Sequence, residues 1–543
     1  MKKIALYALL VFLFFLCVYP FLFLGHSFSF ENGNFDFAIY KRAINNPMTI
    51  RSFWNTMFIC GTTVLVSTLI SIPLAWLFTR TNVAFKGIWR TIFCLPYAIP
   101  PFIGAIAWIY LANPSNGLLK DIFPWINIYS KTGLIFVMSA FFYTFILINL
   151  LSAMEKIDPS LEEAARISGA GSWEVFIKIT MPLVVPSLIS GMLLAFLSAI
   201  ANFGIAALIG NAAGISMMTT QIFIFQKMAS YTGLKLSGIL SLGLLVIAAS
   251  VFYLDHIISK RFRFSLVTGK VARTNVIDLG AKNILAQLML FSMAFILFVM
   301  PIGAILIAAL SKLQGDRSLS NFGFQNFHTI FFKTDETYRA VWNSVILAVS
   351  AAVMCSLLGY ALSQAGKTIS STINKVKEAF IAIPYAVPGT VLALSLTLTT
   401  LSLKLPLYNT LGIIFIAYVA KFLNFSYRII NDGVSQVDQT LIDAAHVAGA
   451  NSWQVFRRIW IPILRPFLMA SFFLVFMPAF SELTMSVLLT GPGNETIGTL
   501  IFQLQEYGDA SGGGAAVLAF CVLLLIIVLN GTLKLSTKGK YGL

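Results

Sequence analysis

Apolar runs of about 20 residues recur along the whole chain, and no other feature constrains the fold as strongly. A helix of that length crosses the roughly 30 Å hydrocarbon core of a bilayer and satisfies its own backbone hydrogen bonds there. We predict about twelve spans by this length criterion, starting near Ile4, Phe53, Thr91, Gly133, Leu183, Leu236, Leu285, Val341, Ala379, Leu411, Ile461 and Ala515. The expected fold class is therefore an all-α, polytopic membrane protein.

The composition argues against a soluble protein. Only 11% of the 543 residues are charged and 58% are hydrophobic, whereas soluble domains are about 25% charged. The net charge of +16 does not indicate a nucleic-acid partner, because no compact basic patch with interleaved aromatic residues lies on a polar segment. We expect a lipid bilayer around the chain and no nucleic acid.

The distribution of basic residues predicts the orientation of the spans. About two-thirds of the 37 Lys and Arg residues lie in alternate connections, which is the positive-inside pattern, so both termini are expected in the cytosol. The start of the chain resembles a signal peptide in charge. Its apolar run is about 20 residues long and no A-x-A site follows, however, so we expect a retained first span.

The longest of these basic connections divides the spans six and six. We therefore predict a first half at residues 1–254, a basic cytosolic linker at 255–283 and a second half at 284–543.

The two halves repeat one another. "EEAARISGAGSWEVFIKITMP" (residues 162–182) returns as "IDAAHVAGANSWQVFRRIWIP" (residues 442–462), an offset of 280. "LPYAIPPFIGAIA" (95–107) matches "IPYAVPGTVLALS" (383–395) at an offset of 288. Because six spans separate the copies, the repeats have the same orientation, and such parallel repeats usually enclose a pathway at their interface.

Each copy of the 280-offset repeat is expected to form two short helices on the cytosolic side. Gly169 should end the first helix, and Ser172 should cap the second. One interpretation is an amphipathic helix that lies on the membrane surface. The other is a docking element, because an alanine face between charged residues can enter a cleft in a partner.

The motif E-A-A, three residues, G, nine residues, I, then L-P resembles the EAA loop of binding-protein-dependent ABC importer permeases. The first copy has Met181 where the motif has Leu, and the second has Asp443 for Glu and Ile461 for Leu. The matching residues are Glu163, Ala164, Ala165, Gly169, Ile179 and Pro182 in the first copy and Ala444, Ala445, Gly449, Ile459 and Pro462 in the second.

The resemblance implies a type I ABC importer permease in the cell inner membrane, with two homologous six-helix halves. Each loop (about 153–182 and about 433–462) would hold a coupling helix seated in a separate ATPase subunit, so two ATPase copies are expected. An extracytoplasmic solute-binding protein is the other expected partner, and ATP and Mg would be used by the partner subunits only. The coupling residues implied are Glu162, Glu163, Ala164, Ala165, Gly169, Asp443, Ala444, Ala445 and Gly449.

Further segments resemble the fused ferric-iron permease group most closely. These segments are "FSELTMSVLLTGPGNETIGTLIFQLQEYGDAS" (480–511), "LPYAIPPFIG" (95–104) and "ANFGIAALIG" (201–210). Related permeases handle thiamine, 2-aminoethylphosphonate, polyamines or sulfate, and these alternatives stay open. The resemblance predicts iron transport.

The chain is expected to be non-catalytic and to bind no cofactor or metal. The sequence contains no G-x-x-x-x-G-K-[ST] loop for phosphates and no His, Cys and carboxylate constellation for catalysis. The alternative that the chain is a membrane enzyme therefore has no candidate nucleophile or metal site in the sequence. A secondary transporter would need mid-membrane carboxylates for a coupling ion, which are scarce here, and would not explain two EAA loops.

A few polar residues within the spans are candidates for the pathway or a gate. Glu482 and Asn202 correspond at the offset of 280, and Lys421 lies inside the tenth span. Tyr97 and Tyr385 adjoin prolines that break helices and can line a pathway. The alternatives are that Glu482 caps a broken helix and that the proline breaks only kink the packing.

Overall fold

The computed structural model describes residues 2–31, 34–228, 230–261, 276–366, 369–508 and 513–536. Most of these residues are helical, as the apolar runs predicted. Residues 262–275, in the middle of the predicted linker, lie outside the described residues.

The first part of the chain contains one short hairpin among its helices. The antiparallel strands β1 (Phe30–Glu31) and β2 (Asn34–Phe35) pair with Phe30 opposite Phe35. The helices are α1 (Lys2–Cys17), α2 (Tyr19–Ser29), α3 (Phe37–Asn45), α4 (Pro47–Arg80), α5 (Lys86–Cys94), α6 (Pro101–Ala112), α7 (Lys131–Met154), α8 (Pro159–Ile167), α9 (Ser172–Val175), α10 (Met181–Ala201), α11 (Met218–Lys227) and α12 (Tyr231–Arg261).

The second part repeats the long helices and the two short ones. Its helices are α13 (Lys282–Ala294), α14 (Met300–Leu310), α15 (Gln325–Phe332), α16 (Asp335–Gly366), α17 (Ser371–Ala386), α18 (Gly389–Ser402), α19 (Leu411–Ser435), α20 (Gln439–Val447), α21 (Ser452–Val455), α22 (Ile461–Phe480), α23 (Ser486–Leu489), α24 (Ile497–Tyr507) and α25 (Gly514–Ser536). The π-helical segments are Phe176–Thr180, Ala206–Asn211, Phe295–Val299 and Phe456–Trp460, and the 3-10 turns are Leu95–Tyr97 and Leu319–Asn321.

Each predicted span corresponds to a long apolar helix or to a bent pair of helices. Within the described residues, nine helices are long and apolar enough to cross a membrane, and three bent pairs bring the number to 12 if each pair is one span. Two of the pairs bend sharply, by 99° between α5 and α6 and by 107° between α17 and α18. Pro100 and Pro388 precede α6 and α18, so the bends arise where proline restricts the preceding residue and removes an amide donor.

Two compact units divide the described chain. We call the unit made of Arg42–Met228 and Gly243–Gly323 the first-loop unit, and the unit made of Met1–Lys41, Ala229–Leu242 and Phe324–Leu543 the second-loop unit. In the first-loop unit α4, α7 and α10 pack together; in the second-loop unit α16, α19 and α22 do so. Each unit therefore has a three-helix core from one sequence half.

Each unit also takes in the first span of the other sequence half. In the first-loop unit α14 packs on α6 and α13 on α5, and in the second-loop unit α2 packs on α18 and α1 on α17. The compact units thus do not follow the sequence halves. The predicted division at 1–254, 255–283 and 284–543 concerns the repeat rather than the packing, and it stays a prediction.

Candidate functional site: two repeated loops and two polar helix breaks

The first helix of each loop begins at an aspartate cap. The Asp158 carboxylate accepts a hydrogen bond from the Ser160 amide at 3.0 Å, and Asp438 accepts one from the Thr440 amide at 2.9 Å. These bonds satisfy an amide that has no partner within the helix, which is what an N-cap residue does. The hydrogen bonds from Ser160 and Thr440 lower the pKa values of Asp158 and Asp438.

The same helices end at the two glycines, as predicted. Gly169 has φ of +92° and Gly449 has φ of +81°, in the left-handed region that glycine enters without a Cβ penalty. The Ala170 amide donates to the Ala165 carbonyl at 3.0 Å and the Gly169 amide donates to the Arg166 carbonyl at 3.0 Å. The second copy makes the equivalent pair of bonds, so both helices α8 and α20 close in a Schellman motif.

The expected cap at Ser172 is wrong by one residue. Helix α9 starts at Ser172, and the capping position is Gly171, which has no side chain to accept a bond. In the second copy Asn451 accepts from the Gln454 amide, and the Gln454 side chain accepts from the Asn451 amide. The pattern N-x-x-Q is a capping box that could have been found in the sequence.

Both loops present the same apolar positions to the surface. The side chain of Ile167 is 88% exposed and that of Trp173 is 71% exposed; at the matching positions Val447 is 90% and Trp453 is 65% exposed. These residues flank the glycine turn on both sides, so each loop carries an apolar surface around that turn.

The predicted coupling residues occupy different environments. In α8, Ala164 is exposed, whereas Glu163 and Ala165 are half-buried. In α20, Asp443 and Ala444 are exposed, and Ala445 packs against a buried apolar cluster. The role of these residues in coupling stays a prediction.

Glu162 faces inward. Its carboxylate Oε1 accepts from Arg80 Nε at 2.8 Å and from Thr180 Oγ1 at 2.8 Å. Arg80 is the last residue of α4 and also donates through Nη2 to the Met154 carbonyl at 3.0 Å. Both partners are buried, with Arg80 2% and Glu162 5% exposed. Arg80 was not singled out by the sequence analysis, because 82 residues separate it from Glu162.

The second loop has apolar residues at the matching positions. Ile442 stands where Glu162 stands in the first copy, and Trp460 stands where Thr180 stands. Both lie in a buried cluster that includes Ile430, Val434 and Leu464. Helix α20 is therefore seated by hydrophobic packing where α8 has hydrogen bonds and an ion pair.

Asn202 and Glu482 perform the same local task in the two units. Asn202 Oδ1 accepts from the Ile205 amide at 2.9 Å, and Glu482 Oε1 accepts from the Met485 amide at 2.8 Å. Glu482 Oε2 also accepts from the amide and the hydroxyl of Ser486, at 2.9 and 2.8 Å. Each residue thus caps the short segment that follows the end of a long apolar helix, which agrees with the capping alternative.

Lys421 is bound to the sharpest helix break. Its ammonium lies 3.2, 3.1 and 2.6 Å from the carbonyl oxygens of Pro384, Tyr385 and Val387, where α17 ends. An ammonium has three donors, so these carbonyls use all of them. Electrostatic attraction also acts between Lys421 and Glu482.

The two candidate tyrosines pack alike. Tyr97 meets Phe145 edge-on with ring centroids 5.2 Å apart, and Tyr385 meets Phe425 edge-on at 5.0 Å. Among the described residues, no group of three or more His, Cys, Asp or Glu side chains could hold a metal ion. The described chain therefore offers two exposed loops and two capped segments as candidate functional sites.

Comparison with known proteins finds relatives that move different solutes. A ferric transport system permease protein, FbpB, of Actinobacillus pleuropneumoniae is 23% identical over 535 residues, which cover 96% of this chain and 76% of that protein. A sulfate transport system permease protein, cysT, of Chlorella vulgaris is 25% identical over 224 residues, which cover 41% of this chain and 84% of that protein.

Solved structures with similarity include a bacterial alginate ABC transporter in complex with an alginate pentasaccharide-bound periplasmic protein. The identity is 19%, the TM-score is 0.38, and the match covers 49% of this chain and 98% of that chain.

A match to a family model identifies the family of this chain. The model described as binding-protein-dependent transport system inner membrane component matches it twice, at residues 39–264 and 356–539. The two matches contain the two EAA loops and together cover more than half of the chain. The chain therefore belongs to the binding-protein-dependent transport system inner membrane components, the multi-pass permease subunits of ABC importers.

Proposed function

We propose that this chain forms the translocation pathway of an ATP-driven ferric-iron importer and that each of its two loops docks one copy of a separate ATPase subunit. The observation that carries the proposal is the matched exposure of Ile167 and Trp173 in one loop and Val447 and Trp453 in the other. Two separately folded loops present the same apolar surface, and a pair of identical partners explains the match.

The exposed surface has the character of an interface. Isolated exposed apolar residues are common and need no explanation. Here the exposure recurs at equivalent positions beside a glycine turn that both copies keep. Aromatic residues contribute strongly to protein interfaces, and a large apolar group left in water gains about 25 cal/mol for each Å² that a partner covers.

The orientation and the partners follow from the docking of ATPase subunits. Both loops and both termini lie in the cytosol in this proposal, and the solute-binding protein docks on the opposite side of the membrane. ATP and Mg are bound by the ATPase subunits, because the chain has no phosphate-binding G-x-x-x-x-G-K-[ST] loop. Closure of the ATPase pair moves α8 and α20, and the two halves then alternate between outward and inward access.

Ferric iron is the solute that the similarity favours. The ferric permease relative aligns with 96% of this chain. The sulfate permease relative aligns with 41% of it, so sulfate is the second candidate. Uptake of ferric iron and of sulfate by cells that express the chain with its ATPase and binding protein distinguishes the two solutes.

The docking test replaces the exposed apolar residues by a charge. We expect Ile167→Asp and Val447→Asp each to weaken co-purification of the ATPase subunit, and the double variant to abolish it, because a buried carboxylate would lose its hydration. Leu319→Asp is the matched control, since Leu319 is also 90% exposed and lies outside both loops. Equal recovery of the ATPase with the double variant and with the control would refute docking at these loops.

A further inference from the structure

The two loops differ in how they are attached to the spans, although their sequences repeat. We infer that Arg80 and Glu162 are a positioning pair that fixes α8 to the end of α4, and that α20 is instead held by apolar contacts with α19 and α22. The inference rests on the proposed function of the loops as coupling elements. According to this inference, a displacement of α8 and a displacement of α20 reach the membrane spans through different contacts.

The first attachment joins four elements at one point. Glu162 belongs to α8, Arg80 ends α4, Met154 ends α7, and Thr180 ends the π-helical segment that leads into α10. The Arg80 guanidinium donates to Glu162 and to the Met154 carbonyl, while Thr180 donates to the same Glu162 oxygen. Hydrogen bonds of this kind fix distance and direction, so α8 and the end of α4 are held in one register.

Stability alone does not require the ion pair. Burying two charges removes their hydration, and well-packed apolar residues are often as stable in their place. The second loop shows that this fold accepts the apolar version, because Ile442 and Trp460 occupy the matching positions in a buried cluster. A buried ionic contact where an apolar one would suffice is best explained by the specific register it imposes.

The route from each loop follows from its contacts. Helix α4 is 34 residues long and packs along α7 and α10, so a displacement of α8 is passed through Arg80 into the second span. The cluster around Ile442 contains Ile430 and Val434 of α19 and Leu464 of α22. Tyr360 of α16 packs against the same cluster. Contacts of this type are non-directional, and they spread a displacement of α20 over the eighth, tenth and eleventh spans.

The test measures whether α8 and α4 move as one body. Spin labels are placed on the exposed positions Ser168 and Leu69, with the native cysteines replaced by alanine, in the complex of the full chain with its ATPase. The equivalent pair in the second-loop unit, Ala448 and Leu357, is labelled in a parallel sample. Distances are recorded with and without a non-hydrolysable ATP analogue.

We expect a narrow distribution of Ser168–Leu69 distances that is the same with and without the ATP analogue. In Arg80→Leu/Glu162→Ile, which removes both charges and places at position 162 the Ile that the second loop has at 442, the distance distribution should broaden and become nucleotide-dependent. The charge-swapped variant Arg80→Glu/Glu162→Arg should partly restore the narrow distance distribution. A general structural defect would not be reversed by exchanging the two charges. The control Asp36→Leu/Lys235→Leu removes another half-buried ion pair, 3.0 Å long, and should leave the distance unchanged.

The outcomes separate this inference from the proposed function. Failure of the unsubstituted chain to retain the ATPase would count against the docking proposal itself. An ATPase-bound wild type whose Ser168–Leu69 distance changes with nucleotide would overturn the inference, as would an apolar variant that keeps one narrow distance. If the apolar variant does not assemble, Arg80→Met/Glu162→Gln provides the same comparison, because it keeps an acceptor for Thr180 and removes the bond to α4 without leaving a buried charge. An unchanged distance there would also overturn the inference.

Discussion

Single residues set where the first helix of each loop begins and ends. Asp158 and Asp438 cap α8 and α20, and Gly169 and Gly449 close them with left-handed φ values. Each of these roles depends on neighbours within a few residues. The sequence predicted the glycine turns for this reason, and both aspartates lie in the predicted coupling loops at about 153–182 and about 433–462.

The aspartate caps predict a pH dependence of the two helices. Because the folded pKa of Asp158 is lowered by its hydrogen bonds with Ser160, the cap stabilises α8 at pH values above the unfolded pKa of about 3.9. That stabilisation is lost as the pH falls through the lower folded pKa. Amide hydrogen exchange at the start of α8, measured relative to an unstructured peptide, should therefore accelerate in acid.

Asp158→Asn is the control for the pH prediction. An amide carbonyl still accepts the Ser160 hydrogen bond and does not titrate in this range, so relative protection at the start of α8 should not change with pH. The same comparison applies to Asp438→Asn and α20, whose cap bond and lowered pKa are equivalent. Acid-induced loss of protection in the Asn variants would show that another group is responsible.

At the level of elements, the break between α17 and α18 depends on a side chain from a third helix. Lys421 of α19 donates to three carbonyls at the end of α17. We expect Lys421→Met to lower the free energy of unfolding by about 3 kcal/mol, because buried carbonyls without donors cost roughly 1–3 kcal/mol each. Thermal unfolding of the detergent-purified chain measures the loss.

Lys375→Met is the matched control for this prediction, since Lys375 is an exposed lysine on α17, the helix whose end Lys421 contacts. Its unfolding temperature should equal that of the wild type. The result also decides between the two interpretations of Lys421. A Lys421→Met variant with wild-type stability and lost solute uptake would assign Lys421 to the pathway, whereas a destabilised variant supports the capping role.

For the whole molecule, the main feature is that each compact unit contains the first span of the other sequence half. Helix α2 packs on α18 and buries Pro20, Phe21, Leu24 and Phe28. We expect residues 284–543 expressed alone to accumulate poorly in the membrane, because the surface of α18 that α2 covers is left exposed. Co-expression with residues 1–254 should restore the fragment, as followed by immunoblotting of membranes. Equal accumulation with and without residues 1–254 would contradict this.

The sequence was sufficient to predict the helical membrane fold, the twelve apolar segments, the repeat and the glycine ends of the first helices of the loops. Hydropathy, proline positions and capping residues act within about one helix length, so their effects can be predicted from the sequence. Only the folded chain shows that Arg80 contacts Glu162, that Lys421 binds carbonyls 34 to 37 residues away, and that each compact unit contains the first span of the other sequence half. These contacts join residues far apart in sequence, and only the packing of helices brings their side chains together.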